Sequence, residues 1–145
     1  MAVSIKKVTL WQTEVENKPG ALSSVLAPLA DADADLQVVM GYHYHGVPGS
    51  AIIEVSPIKG KKSTAAASKA GLVASAIPTL LVQGNDKPGL GHLIAQAIAE
   101  AGINVTFLVA QVIDKSFSAV IGFDDEAAAE QATTLIKKAV KKVKK

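Results

Sequence analysis

Two kinds of hydrophobic spacing succeed one another along this chain, and the succession occurs twice. The run Ile5 to Val15 is rich in Val, Thr, Leu and Trp and predicts a strand. After it, Leu22, Val25, Leu26 and Leu29 recur at helical spacing, with Pro28 placed to kink or shorten the last turns of that helix. Residues 36–45 predict a strand with Leu36, Val38, Met40, Tyr42 and Tyr44 on one face and Gln37, Val39, Gly41, His43 and His45 on the other. The turn Gly46-Val-Pro-Gly49 returns the chain along Ala51–Val55 as a hairpin. Ser63 or Thr64 is then the expected N-cap of an alanine-rich helix closed by Gly71.

The second half repeats this order. Thr79–Val82 predicts a strand, and Leu90, Leu93, Ile94, Ala97, Ile98 and Ala101 form a helical stripe ended by Gly102. Residues 103–112 predict a strand with Ile103, Val105, Phe107 and Val109 on one face, and residues 118–123 its hairpin partner. Asp124 or Asp125 is placed to cap a final helix carrying Ala128, Ala132, Leu135, Ile136, Ala139 and Val143. Each half is therefore strand, helix, hairpin, helix. That order predicts an α+β fold of two tandem ferredoxin-like modules, residues 1–76 and 77–145, each an antiparallel sheet with its helices on one face. A fourth strand should complete each sheet. Residues 72–77 can supply it in the first module; in the second the chain ends in helix, so the long N-terminal strand serves both sheets or an edge is borrowed from elsewhere.

Composition narrows the class. A hydrophobic fraction of 49% without a run of about 18 uncharged apolar residues argues for apolar surface committed to module or subunit contacts, not for membrane insertion. A homodimer is the expectation, and with no signal-peptide pattern over residues 1–15, a cytoplasmic one. The absence of cysteine excludes disulfides, thiolate nucleophiles and zinc–thiolate sites. Six lysines crowd residues 137–145, so residues 1–136 carry nine lysines against thirteen acids, a net charge of about −4. All fifteen basic residues are lysine, which argues against a specific nucleic-acid reader, since bidentate phosphate and guanine recognition favours arginine. The lysine tail reads as a solvated helix end, with nonspecific contact to an anionic partner as the other reading.

Candidate chemistry sits at two matching turns, Glu16-Asn17-Lys18-Pro19-Gly20 and Asn85-Asp86-Lys87-Pro88-Gly89, whose prolines are 69 residues apart. Each joins a strand to a helix, so N–H groups just after Gly20 and Gly89, at Ala21-Leu22 and Leu90-Gly91-His92, together with the helix dipole make a receptor for a carboxylate. Asn, Asp, Pro and Gly are also good turn residues in their own right; duplication at corresponding positions is what favours a site. The stretch from Asn85-Asp86-Lys87-Pro88-Gly89-Leu90 through Ala101-Gly102-Ile103-Asn104-Val105 resembles the ACT domain, and Asn17-Lys18-Pro19-Gly20-Ala21-Leu22 through Asp35-Leu36 is a weaker second copy. The resemblance implies a stand-alone regulatory protein that binds an amino acid at module or subunit interfaces and signals to an enzyme or transcription regulator. It also implies ligand contacts at Asn17 and Asp35 in the first copy and at Asp86 and Asn104 in the second, with the second, at Gly89, as the better match. An amino-acid zwitterion needs donors for its carboxylate and acceptors for its ammonium, and these side chains and N–H groups offer both.

Two histidines, His43 and His45, stand at i, i+2 on one strand face, opposite the expected core, a spacing able to share a metal ion and similar to the His-x-His strand of nickel-sensing regulators. Those regulators also use a cysteine, which this chain lacks, and two exposed histidines on an interface strand are the plain alternative. A structural or assembly module without ligand is the third reading. Trp11 is expected in a core or interface. No nucleophile elbow, HExxH or P-loop is present, so the chain reads as a non-enzyme without cofactor.

Overall fold

The computed structural model describes residues 3–43 and 46–142. The chain divides into two compact units, Thr9–Ala76 and a second that joins the residues up to Val8 to those from Ile77 onward. The strand expected over residues 5–15 is thus two strands, β1 (Val3–Val8) and β2 (Trp11–Glu16), which enter different sheets. No glycine or proline marks the break; it falls at Thr9-Leu10, where Leu10 turns inward to 1% exposure and its carbonyl accepts from Ser75 N–H at 2.8 Å.

In the unit Thr9–Ala76, β2 leads into α1 (Ala21–Asp31), the hairpin β3 (Val38–His43) and β4 (Ser50–Ser56), α2 (Gly60–Lys69) and a short β5 (Val73–Ala74). The antiparallel sheet runs β3-β4-β2-β5. Ile53 and Val55 of β4 face Val25 and Leu29 of α1 and Ala67 of α2, with Leu72 closing the core and Trp11 packed at its margin. Pro28 does not end α1, which continues three residues to Asp31; Pro28 lies in the last turns, and its own carbonyl accepts from Ala32. The N-cap of α2 is Lys59, four residues before the expected Ser63, and Thr64 Oγ1 donates back to Gly60 O instead of capping.

The second unit contains β6 (Thr79–Asn85), α3 (Leu90–Glu100), the hairpin β7 (Val105–Ile113) and β8 (Ser116–Phe123), and α4 (Glu126–Lys141). Its sheet runs β1-β6-β8-β7. β1 therefore holds the place that β5 holds in the other sheet, and the missing fourth strand is supplied from the start of the chain. It is fixed there by apolar burial of Val3 and Ile5 and by Lys7, whose ammonium lies 3.3 Å from Glu126 and 3.2 Å from Glu130 of α4. Asp125 is the N-cap of α4, its carboxylate accepting from Ala128 N–H at 2.7 Å. Leu80, Val82, Ile121 and Phe123 meet Ile94, Ile98, Ala132 and Ile136 in the core; the expected inward Val143 lies outside the described residues.

Two face assignments change. A register shift between Val105 and Phe107 places Val105 opposite Phe123, on the helix-covered face, and Phe107 opposite Gly122, on the other, so they do not share one face. In β3, Gly41 pairs with Ile53 and His43 with Ala51, so Val39, Gly41 and His43 share the helix-covered face. The apolar alternation Val38, Met40, Tyr42 lies on the opposite face with Glu54. No helix among the described residues is long and apolar enough to cross a membrane.

Candidate functional site

Both Pro-Gly elements are the same physical object. Ala21 N–H donates to Lys18 O at 3.3 Å and Leu90 N–H to Lys87 O at 3.1 Å. Gly20 sits at φ 87°, ψ −7° and Gly89 at φ 85°, ψ −1°. Proline at the second position and a left-handed glycine at the third define a type II turn, for which any residue with a Cβ is strained. The glycines serve this conformation and not close packing, because a Cβ at either would meet nothing within 4 Å. Each turn is tied to its own hairpin loop, Asn17 N–H to Gly49 O and Asp86 N–H to Lys115 O, both at 2.8 Å.

This geometry moves the expected donors by one residue at the first turn and removes Leu90 from those expected at the second. The N–H groups of Ala21 and Leu90 close the turns, and those of Ser24 and Leu93 return to Gly20 O and Gly89 O at 3.0 Å. Leu22 and Ser23, and likewise Gly91 and His92, are left as the N–H groups without a backbone acceptor among the described residues. Neither helix start has a side-chain cap or an acidic residue in its first turn, so its positive end is uncompensated by protein.

The two turns differ in what stands beside them. At the first, a cavity of about 240 Å³ is lined by Val15, Asn17, Lys18, Ala21, Leu22, Gly41, Tyr42, His43, Ala51, Ile52 and Ile53. Asn17, Ala21 and Leu22 of the expected set line it; Pro19 and Gly20 are exposed on the turn itself and do not. At the second, the residue corresponding to Ala21 is Leu90, whose side chain is 3% exposed and packed among the core residues of its unit. Leu90 is therefore a core residue there and not a surface contact. Asn85, Gly89, Gly91, His92 and Asn104 are exposed and Asp86 is half-buried. The two turns thus differ in size at this position: a leucine stands at the second where the first has a methyl group.

The structure does not bring Asp35 to Asn17. Asp35 lines a separate cavity of about 260 Å³ with Asp33, Ala34, Gln37, Pro57, Lys59 and Ser63. His43 lines the first-turn cavity, and His45 lies outside the described residues. No group of three or more His, Cys, Asp or Glu able to hold a metal is found among the described residues.

One charged group was not singled out by sequence. Glu54 is 4% exposed on the face opposite the helices, between Gln12 of β2 and Met40 of β3. Its place in a run of Ile52, Ile53 and Val55 is the signal that could have marked it. Burial pushes its carboxyl above the ordinary value of 4.5, and a hydrogen bond from Tyr42 acts in the opposite sense. A raised folded value means that the folded state holds the proton more tightly than the unfolded state. The stabilisation is complete below about pH 4.5 and is lost as the pH rises through the folded value. Glu54→Gln, which carries no charge at any pH, should therefore gain stability over the parent more at pH 8 than at pH 4.5 in urea unfolding. Equal gains at both pH values would contradict this assignment.

Known structures share this architecture. Protein BT0572 from Bacteroides thetaiotaomicron superposes with a TM-score of 0.73 at 14% identity, covering 92% of this chain and 89% of that one. The structure of aspartokinase alpha and beta subunits gives 0.66 at 19% identity, covering 97% and 98%. The ligand-free regulatory subunit of aspartate kinase from Thermus thermophilus gives 0.63 at 16%, covering 94% and 95%. No family model and no curated protein matches the sequence. The chain thus has the tandem ACT-type, ferredoxin-like fold of the aspartate kinase regulatory subunits, at identities that speak to fold alone.

Proposed function

We propose that this chain is a non-catalytic regulatory protein that binds a small amino acid in the cleft beside the first Pro-Gly turn. The carrying observation is that the cavity is lined by Leu22 at a helix start where the Leu22 and Ser23 N–H groups have no backbone acceptor among the described residues. The cavity, at about 240 Å³, lies below the range of about 300–1,000 Å³ typical of drug-sized ligands, which suits a metabolite. Leu22 and Ser23 N–H at the start of α1 receive the ligand carboxylate. The amide oxygen of Asn17 accepts from the ammonium, and the side chain lies along Gly41, Ala51 and Ile53. Similarity in fold to the regulatory subunit of an aspartate kinase supports a role in which the ligand biases a partner enzyme or regulator. Thermal unfolding with each of the twenty amino acids tests it: at one hundred times its dissociation constant a ligand adds about 2.7 kcal/mol. Failure of every amino acid to raise the melting temperature would contradict it.

The same reading includes a homodimer. β7 is an edge strand of its sheet, nine residues long, and exposes Leu108, Val109, Val112 and Ile113. A long apolar edge is a template for pairing with a second copy. Sedimentation should find a dimer that Leu108→Lys with Ile113→Lys converts to monomer; a monomeric parent protein would remove dimerisation from the account.

A further inference from the structure

The second unit is divided by charge along its length. In its sheet Asn85 of β6 pairs with Ser116 of β8, and Thr79 pairs with Gly122. Helix α3 starts just after Asn85, whereas α4 starts just after β8 and beside Lys7, and runs back until Val140 lies in the same core as Leu90. The start of α3 and the end of α4 therefore share one end of the unit. The loop of the β7–β8 hairpin lies there too, since Asp86 N–H donates to Lys115 O at 2.8 Å. The topology thus gathers lysines from three segments: Lys87 of the turn, Lys115 of the hairpin loop, and Lys137, Lys138, Lys141 and Lys142 at the end of α4. All six are exposed, and none makes an ion pair among the described residues. Asp86 and Asp114 are the acids beside them.

The opposite end has the reverse composition. Glu100, Asp124, Asp125, Glu126 and Glu130 stand there against Lys6 and Lys7 of β1, and Lys7 is already held by Glu126 and Glu130. The 16 residues of α4 span about 24 Å. That exceeds the screening length of about 8 Å at physiological ionic strength, so the acids do not neutralise the lysines. The helix dipole accounts for Lys138 and Lys141, which lie in the last turn of α4. It does not account for Lys87 and Lys115, which belong to other segments. Like charges brought to one end repel one another, and an anion lying against them relieves that repulsion.

The surface chemistry narrows the anion. Lysine meets phosphate as a point charge, whereas the arginine fork that reads guanine is absent from the chain. The exposed residues of α4 besides its lysines are Glu126, Ala127, Glu130, Gln131 and Thr134, so the helix offers no large apolar side chain to the acyl boundary of a bilayer. Such a surface fits a dense line of phosphates held by charge alone, without contact to base edges.

We infer that the lysine end of the second unit is a sequence-independent docking surface for the phosphate backbone of duplex nucleic acid. The cleft beside the first Pro-Gly turn is lined wholly by residues of the unit Thr9–Ala76, so either activity can exist without the other.

Fluorescence anisotropy of short labelled duplexes, titrated with the full chain over a range of salt, tests this. Two duplexes of unrelated sequence should bind equally, and log affinity should fall against log salt with a slope of about −4 to −5, as for about four to six phosphates. Lys138→Gln with Lys141→Gln should weaken binding roughly tenfold at low salt and flatten the slope by about 2. Lys87→Gln with Lys115→Gln should flatten it similarly, although these lysines lie on other segments. Lys61→Gln with Lys69→Gln removes the same charge from exposed positions of the other unit and should change neither quantity. The inference is overturned if no duplex binds at low salt, if the slope is near zero, if one sequence is strongly preferred, or if the three double variants behave alike. Tighter binding to phosphatidylserine vesicles than to either duplex would assign the surface to a lipid partner and remove nucleic acid from the account.

Discussion

Gly122→Ala should lower the stability of the second unit by about 1–3 kcal/mol, the cost of forcing a methyl group into a filled space. Gly122 is buried in β8 directly opposite Phe107 of β7, and the Phe107 ring lies over it. A Cβ built on Gly122 would fall 2.9 Å from Phe107 Cζ and closer still to Cδ2 and Cε2. The methyl and the ring cannot both keep their places, so the ring must leave a half-buried position or the strands must part. The backbone of Gly122 is not in the left-handed region, so conformational strain does not confuse the result. Phe107→Ala should remove most of the penalty, so that alanine at 122 costs much less in that background. A Gly122→Ala protein as stable as the parent, or a penalty unchanged by Phe107→Ala, would show that the contact does not constrain the sheet. The other unit solves the same position differently: Glu54 stands opposite Met40 where Gly122 stands opposite Phe107.

Ala21→Leu should abolish the ligand-dependent gain in melting temperature while leaving the fold intact. It copies the second turn, where Leu90 occupies the corresponding position and α3 forms normally. Leucine is also a good helix former, so the first turn of α1 is not weakened by the exchange. The added isobutyl group would enter a cavity of about 240 Å³ whose floor is Gly41, Ala51 and Ile53. A ligand that gave about 2.7 kcal/mol to the parent at one hundred times its dissociation constant should give the variant close to none. A variant that unfolds at the parent temperature without ligand but keeps the full gain with it would place the ligand elsewhere.

The parts of this fold legible in the sequence were those written in local chemistry. Pro19-Gly20 and Pro88-Gly89 fix type II turns by the torsions their residues allow, and Asp125 caps α4 through its own side chain. The duplicated order followed from the switch between strand and helix periods. What could not be read depended on partners distant along the chain. The break at Thr9-Leu10 lies in an unbroken β-like run and becomes visible only when β1 finds β6 and β2 finds β4. The face of His43 was misread because both faces of β3 carry apolar residues; the pairing of Gly41 with Ile53 decides it. The flip between Val105 and Phe107 comes from a bulge that no glycine announces. At the site, the Ala21 and Leu90 difference was present in the sequence, but its consequence needed packing: methyl against isobutyl decides whether the helix start faces a cleft or a filled core. Asp35 was assigned beside Asn17 by resemblance, whereas within its unit it stands at the far end of α1.

The central claim is that the first Pro-Gly turn receives an amino acid through the start of α1. It is tested most directly by amide spectra of the full chain titrated with the amino acid that most raises the melting temperature. The account predicts saturable shifts at Leu22 and Ser23 and at the Asn17 side-chain amide, with Gly91 and His92 unmoved. Saturable binding that shifts Gly91 and His92 but leaves Leu22 and Ser23 in place would contradict it.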